Sequence, residues 1–168
     1  LGAFAGVLTL SILSGFMTNP RTNAFKTPFW LSGLAPSACY SYIKPCHEVN
    51  PDSEYKFSDH CPPGINQCFD DYDEAVRYAK ANNKPILIDF TGYGCVNCRK
   101  MEENVWIDEE VNRLLNKEFV LVSLYVDDRK KLEQTLVAPD GTKIRTVGNK
   151  WASFQKVNFE KQSQPYYV

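Results

Sequence analysis

Pro85-Ile86-Leu87-Ile88-Asp89-Phe90-Thr91-Gly92-Tyr93-Gly94-Cys95-Val96-Asn97-Cys98-Arg99-Lys100 is the stretch that decides the reading of this chain. A short apolar run ends in a glycine-containing turn, and two cysteines three positions apart open a segment with helical character. Positions i and i+3 lie on one helical face roughly 5–6 Å apart, within reach of a disulfide. The pair can therefore close and open without moving the backbone much. A cysteine at a helix N-terminus also meets unpaired amide N–H groups and the positive end of the helix dipole, and both favour thiolate. Thiolate is the attacking species in disulfide exchange. A zinc half-site is the rival reading, but such sites usually add a second close pair or a histidine pair, and there is no second C-x-x-C here. The strand–turn–C-x-x-C–helix context points to a redox dithiol.

Roles follow from position. Cys95 is the expected nucleophile, and Cys98, one turn deeper, the expected resolving thiol. Burial disfavours thiolate, so Cys98 needs a base at the moment of resolution. Asp89, at the end of a buried strand, is the first candidate if desolvation raises its pKa toward neutrality. Glu102, one turn beyond Cys98, is a second carboxylate on nearly the same face. The bland alternatives are a hydrogen-bonded structural acid for Asp89 and a solvated helix surface for Glu102.

The stretch Phe90 to Glu102, with Asp89 six positions before Cys95 and Gln164-Pro165 far downstream, resembles the thioredoxin superfamily. More narrowly it resembles the C-terminal domain of DsbD-type thiol:disulfide interchange proteins, as does Arg145-Thr146-Val147-Gly148-Asn149-Lys150-Trp151. The likeness is strong over residues 69–168 and looser through Leu31-Ser32-Gly33-Leu34-Ala35-Pro36. It implies a membrane protein that carries electrons across the bacterial inner membrane, with this domain in the periplasm and a tie to cytochrome c biogenesis. It implies acids at Asp89 and Glu102 that adjust the cysteine pKa values. Pro165 would be the cis-proline beside the dithiol, its backbone open to an extended substrate segment. A redox-active Cys95–Cys98 disulfide would be the working group, with no separate cofactor and no metal. Partners would be periplasmic disulfide-containing proteins and a membrane-embedded electron-donor domain. Tyr93 and Gly94 depart from the pattern, since thioredoxins have a loop ending in Trp there. Trp106, Trp151 and Phe154 are candidates for the partner surface, with core packing as the alternative.

A formal net charge of −1 over 168 residues argues against nucleic acid as an electrostatic partner. Six cysteines, four outside the C-x-x-C, suggest an oxidising compartment. Leu1 to Met17 carries no charge; a span needs about 20 apolar residues, so the run reads as the C-terminal end of a transmembrane helix. A signal remnant or a buried helix are the alternatives, and Arg21 and Lys26 vote for a cytoplasmic side by the positive-inside rule. Residues 18–68, rich in proline and without sustained periodicity, read as an extracytoplasmic connector. Cys39, Cys46, Cys61 and Cys68 there suit two disulfides, or with His47 and His60 a metal site. Four cysteines allow three pairings.

From Asp70 the pattern becomes regular. Tyr72, Ala75, Val76 and Ala79 share a helical face; Ile86–Phe90 is a strand; helices follow from Cys95 and from an Asp108 cap. Phe119–Val126 reads as a strand covered on both faces. Thr135–Ala138 and Lys143–Thr146 flank a Pro139-Asp140-Gly141-Thr142 turn, Lys150–Phe159 is helical, and Gln164–Val168 returns to a strand. The expected fold is α/β, thioredoxin-like and truncated after the cis-proline strand, with segments 1–17, 18–68 and 69–168. Such a piece would keep an exposed sheet edge and lose core cover, so poor stability is expected. Competing functions are a free thioredoxin-like reductase for apocytochrome c and a non-enzymatic, metal-binding or disulfide-stapled adaptor.

Overall fold

The computed structural model describes Gly6 and residues 53–168. The hydrophobic run 1–17, apart from Gly6, and both Cys39 and Cys46 lie outside the described residues. Among the described residues no helix is long and apolar enough to cross a membrane.

The elements are α1 (Tyr72–Asn82), β1 (Ile86–Thr91), α2 (Val96–Asn104), α3 (Glu109–Lys117), β2 (Val120–Tyr125), β3 (Lys131–Val137), β4 (Lys143–Thr146), α4 (Val147–Phe159) and β5 (Tyr166–Tyr167). Local chemistry sets their ends. The Asp71 carboxylate accepts from the backbone N–H groups of Asp73 and Glu74 to start α1, and Asn83 closes it in the left-handed region, as caps of these types do. Asp108 starts α3 in the same way, accepting from Glu110 and Val111.

One three-stranded sheet has the order β2-β1-β5 and a separate hairpin joins β3 to β4. β1 and β2 run parallel, Asp89 opposite Ser123 and Thr91 opposite Tyr125. β5 is antiparallel to β1, Tyr167 opposite Asp89. Alternation along a strand sends successive side chains to opposite faces. Ile86, Ile88 and Phe90 therefore join Val120, Val122 and Leu124 on one face, packed with Ala75 and Ala79 of α1 and Trp151 of α4. Leu87, Leu121 and Tyr167 lie on the other, with Trp106, Leu115 and the 61–68 segment.

The expected elements are present with shifted ends. β3 begins at Lys131 rather than Thr135, and α4 at Val147 rather than Lys150. Thr146 caps α4 through its hydroxyl, which accepts from Asn149 N–H. Gly148 explains the early start: a Cβ there would lie 2.6 Å from the Val126 carbonyl oxygen and the Asp128 amide nitrogen. Only glycine lets α4 come this close to the loop after β2.

Residues 53–68 pack onto this frame. Cys61 and Cys68 form a disulfide, and Tyr55 and Phe57 pack edge-on against Tyr78, Phe57 also at a tilt against Phe69. Phe69 bridges to Val122 beside β2.

Candidate active site

β1 ends at Thr91, and the next four residues turn the chain into α2. Asp127, just past β2, fixes that turn: its carboxylate accepts from the backbone N–H groups of Tyr93 at 2.8 Å and Gly94 at 2.9 Å. The lack of a side chain at Gly92 makes room, since a Cβ there would sit 3.0 Å from an Asp127 oxygen. Tyr93 stacks on Tyr125 with ring centroids 4.2 Å apart.

Cys95 is then the N-cap of α2, its sulfur accepting from the Cys98 N–H at 3.2 Å. The two cysteines form a disulfide with Cα atoms 5.3 Å apart. Their environments differ as the sequence expects: Cys95 is half-buried, whereas Cys98 is 1% exposed. An attacking partner reaches Cys95 first. Donation of an N–H to Cys95 Sγ, together with the helix N-terminus, favours a negative sulfur once the disulfide opens.

β1 and α2, the elements on either side of the dithiol turn, also supply a buried charged cluster. Asp89 is 1% exposed and Glu102 2%, so the solvated-surface alternative for Glu102 is overturned: α2 turns this side chain inward, onto the sheet face that carries Asp89. Between them stands Arg99, itself buried. Its Nη2 lies 2.7 Å from Glu102 Oε1 and donates to Thr91 Oγ1 at 3.0 Å. Ser123 Oγ donates to Asp89 Oδ2 at 3.3 Å. Asp89 Oδ1 and Arg99 Nε are buried without a hydrogen-bond partner among the described residues.

Burial pushes the Asp89 carboxyl up to about 7, against the lowering pull of Arg99 and of the Ser123 hydrogen bond. Burial likewise pushes Glu102 up to about 8; Arg99 pulls it down, while Asp89 and Glu103 push it further up. Desolvation thus wins over an ion pair in direct contact, because a single cation faces two carboxylates in a dry site. The two acids share one environment and titrate as a pair. Desolvation also raises the hydroxyls of Tyr125 and Tyr167, with the acids adding to the effect and Arg99 opposing it. Asp89 therefore meets the condition set for a general base near neutral pH.

Pro165 follows a cis peptide bond from Gln164 and leads into β5, the strand beside β1. Gln155, fully buried on α4, holds that approach: its side-chain amide donates to the Ser163 carbonyl at 2.9 Å and its oxygen accepts from Gln164 Nε2 at 3.1 Å. Trp106 and Trp151 are buried, one on each face of the sheet, which places them in the core rather than at a partner surface. Half-buried Phe154 packs against Tyr72 and Phe90. In the metal-binding alternative, Cys61 and Cys68 would be ligands; here they are bonded to each other. Sequence reasoning missed Arg99, Asp127, Ser123 and Gln155. The signal that could have found Arg99 is its i, i+3 spacing to Glu102, which puts a cation beside a candidate acid.

The profile of the thioredoxin-like family matches residues 67–146. Among curated relatives, a thiol:disulfide interchange protein DsbD from Ralstonia nicotianae is 34% identical over 95 residues, covering 53% of this chain and 16% of the relative. The mouse (Mus musculus) spermatogenesis-associated protein 20 is 36% identical over 61 residues, covering 36% of this chain and 8% of the relative. The chain thus spans only a small part of the length of the relatives it matches. The profile and an asymmetric dithiol at the head of a helix agree on a thioredoxin-like domain over residues 67–146, and that domain is similar to part of a DsbD protein.

Proposed function

We propose that this chain is an electron-passing protein-disulfide reductase whose Cys95–Cys98 dithiol exchanges with disulfides of other proteins. One observation carries the reading: a half-buried sulfur caps the N-terminus of α2 while its mate lies buried on the same helix as Glu102, whose carboxyl, like that of Asp89, has a raised pKa. Cys95 thiolate attacks the partner disulfide and one partner sulfur leaves. Cys98 then loses its proton to a carboxylate and attacks the Cys95 sulfur. The intramolecular disulfide forms as the second partner sulfur departs. Asp89 is the proposed base, Glu102 its auxiliary, and the backbone beside Pro165 a site for an extended partner segment.

The likeness to a DsbD protein supports a setting on the periplasmic side of a bacterial inner membrane. Segment 1–17 would be the end of a membrane helix, electrons would come from a membrane-embedded donor domain, and a tie to cytochrome c biogenesis would follow. Direction is tested by equilibrating the dithiol with reduced and oxidised glutathione. A reductase should hold its disulfide at a potential more negative than about −200 mV, in the range of reducing thioredoxin-like proteins. A value near about −120 mV, typical of disulfide-forming enzymes, would reverse the proposed electron flow.

A further inference from the structure

The Asp89–Arg99–Glu102 cluster has a charge balance that the roles given so far do not use. Its members come from two elements, β1 and α2, and the groups around it are Thr91, Ser123, Tyr125, Tyr167 and Glu103. Among the described residues, Arg99 is the one cation that the surrounding electrostatics bring to bear on Asp89, Glu102, Tyr125 and Tyr167. With both acids ionised the buried cluster carries a net negative charge, which a desolvated site penalises. With one proton on the pair it is neutral. With two, Arg99 is an uncompensated buried cation.

We propose that Arg99 is a positioning residue for thiol–disulfide exchange: by contacting Glu102 and standing against Asp89, it holds one exchangeable proton on the two carboxylates and so keeps one of them free to take the Cys98 proton. This rests on the exchange reaction assigned to Cys95 and Cys98 above. In the resolving step the Cys98 S–H bond breaks and its proton moves to the free carboxylate. The Cys98–Cys95 S–S bond forms, and the bond from Cys95 to the partner sulfur breaks. The partner sulfur leaves with the electron pair, and the proton returns to it through solvent. The anchor at Thr91 Oγ1 keeps the guanidinium on the sheet, where a freely moving cation would follow Glu102 alone.

The test uses the full 168-residue chain, reduced, and a small aromatic disulfide, 5,5′-dithiobis(2-nitrobenzoate), as probe. Cys95 attack releases a first coloured thiol and Cys98 resolution a second; subtracting the trace of a Cys95→Ser, Cys98→Ser chain removes the signal of the other four cysteines, so the pH profile of the second phase reports the base without any protein partner. Arg99→Gln should move the rising limb of that profile upward by about one pH unit or more, as loss of a neighbouring opposite charge does. Arg99→Lys should bring it most of the way back. In an Asp89→Asn, Glu102→Gln background the Arg99→Gln shift should vanish. A folded Arg99→Gln chain with an unmoved limb would overturn the proposal. So would a shift that persists undiminished without the acids, because Arg99 would then act on the sulfur directly. Should Arg99→Gln fail to fold, Glu102→Gln decides: leaving one carboxylate to the cation should move the limb downward, and an unmoved limb refutes the shared proton. A chain that showed these shifts yet reduced no protein disulfide would sink the assigned function and leave the Arg99 proposal standing.

Discussion

One face of the small sheet is apolar along its length, whereas the other joins an apolar cluster around Leu121 and Trp106 to a buried polar one. On the first, Phe90, Val122 and Leu124 are sealed under α1 and α4, with Phe154, Phe159 and Tyr166 packed around them. On the second, the same strands present Asp89, Thr91 and Ser123, all buried, and α2 adds Arg99 and Glu102. β1 supplies both faces by alternation alone: Phe90 points one way, Asp89 and Thr91 the other. Both faces hold the fold together through apolar clusters, and the second also buries ionisable groups at a cost in stability. Polar groups without full partners are costly when buried, and Asp89 Oδ1 and Arg99 Nε are two such atoms.

The largest expected effect breaks the apolar face. Phe90→Ala removes a fully buried ring in contact with three other aromatics and should cost about 3–5 kcal/mol. Chemical denaturation of the full chain measures this, and a loss under about 1 kcal/mol would mean that Phe90 is not central to the core.

The polar face should answer to pH instead. Asp89 and Glu102 are raised to about 7 and about 8 in the fold, above ordinary carboxyl values of about 4 in an unfolded chain. Between these limits the native state binds more protons than the unfolded state. Stability is then fully present below about pH 4 and falls as pH rises through the native values, by up to about 1.4 kcal/mol per pH unit for each proton retained. Denaturation midpoints of the oxidised chain should fall from pH 5 to pH 8, and the Asp89→Asn, Glu102→Gln variant should flatten that slope. An equally steep slope in the variant would place the retained protons elsewhere.

The same contrast explains what could be read from the sequence. The apolar face was legible because period-two and period-3.6 patterns report burial directly: Ile86–Phe90, the Tyr72–Ala79 stripe and the run after Phe119 became β1, α1 and β2. Asp108 was legible as a cap for a different reason, since a short carboxylate side chain can accept from the free N–H groups of a helix's first turn. The dithiol, the buried Asp89 and the cis-proline position were legible from spacing and from the family likeness. Arg99 was not, since an arginine after a C-x-x-C ordinarily reads as solvated helix surface and its burial depends on the fold bringing Asp89 and Thr91 beneath it. The packing of residues 53–68 was hidden too. Their contacts come from a disulfide and scattered aromatics, such as Tyr55 and Phe57 on Tyr78, which leave no period in the sequence. Asp127 acts on a turn more than thirty residues away, a pairing that only the β1–β2 register creates.

In the proposed exchange Cys95 attacks and Cys98 resolves. Reduced Cys98→Ser and Cys95→Ser chains, incubated with a disulfide-containing protein substrate and mapped for adducts at Cys95 and Cys98 by mass spectrometry without reductant, separate the two roles. A lasting mixed disulfide through Cys95 is expected in the first chain, and neither a Cys98 adduct nor reduction in the second. Substrate captured through Cys98, or full reducing activity in the Cys95→Ser chain, would contradict it.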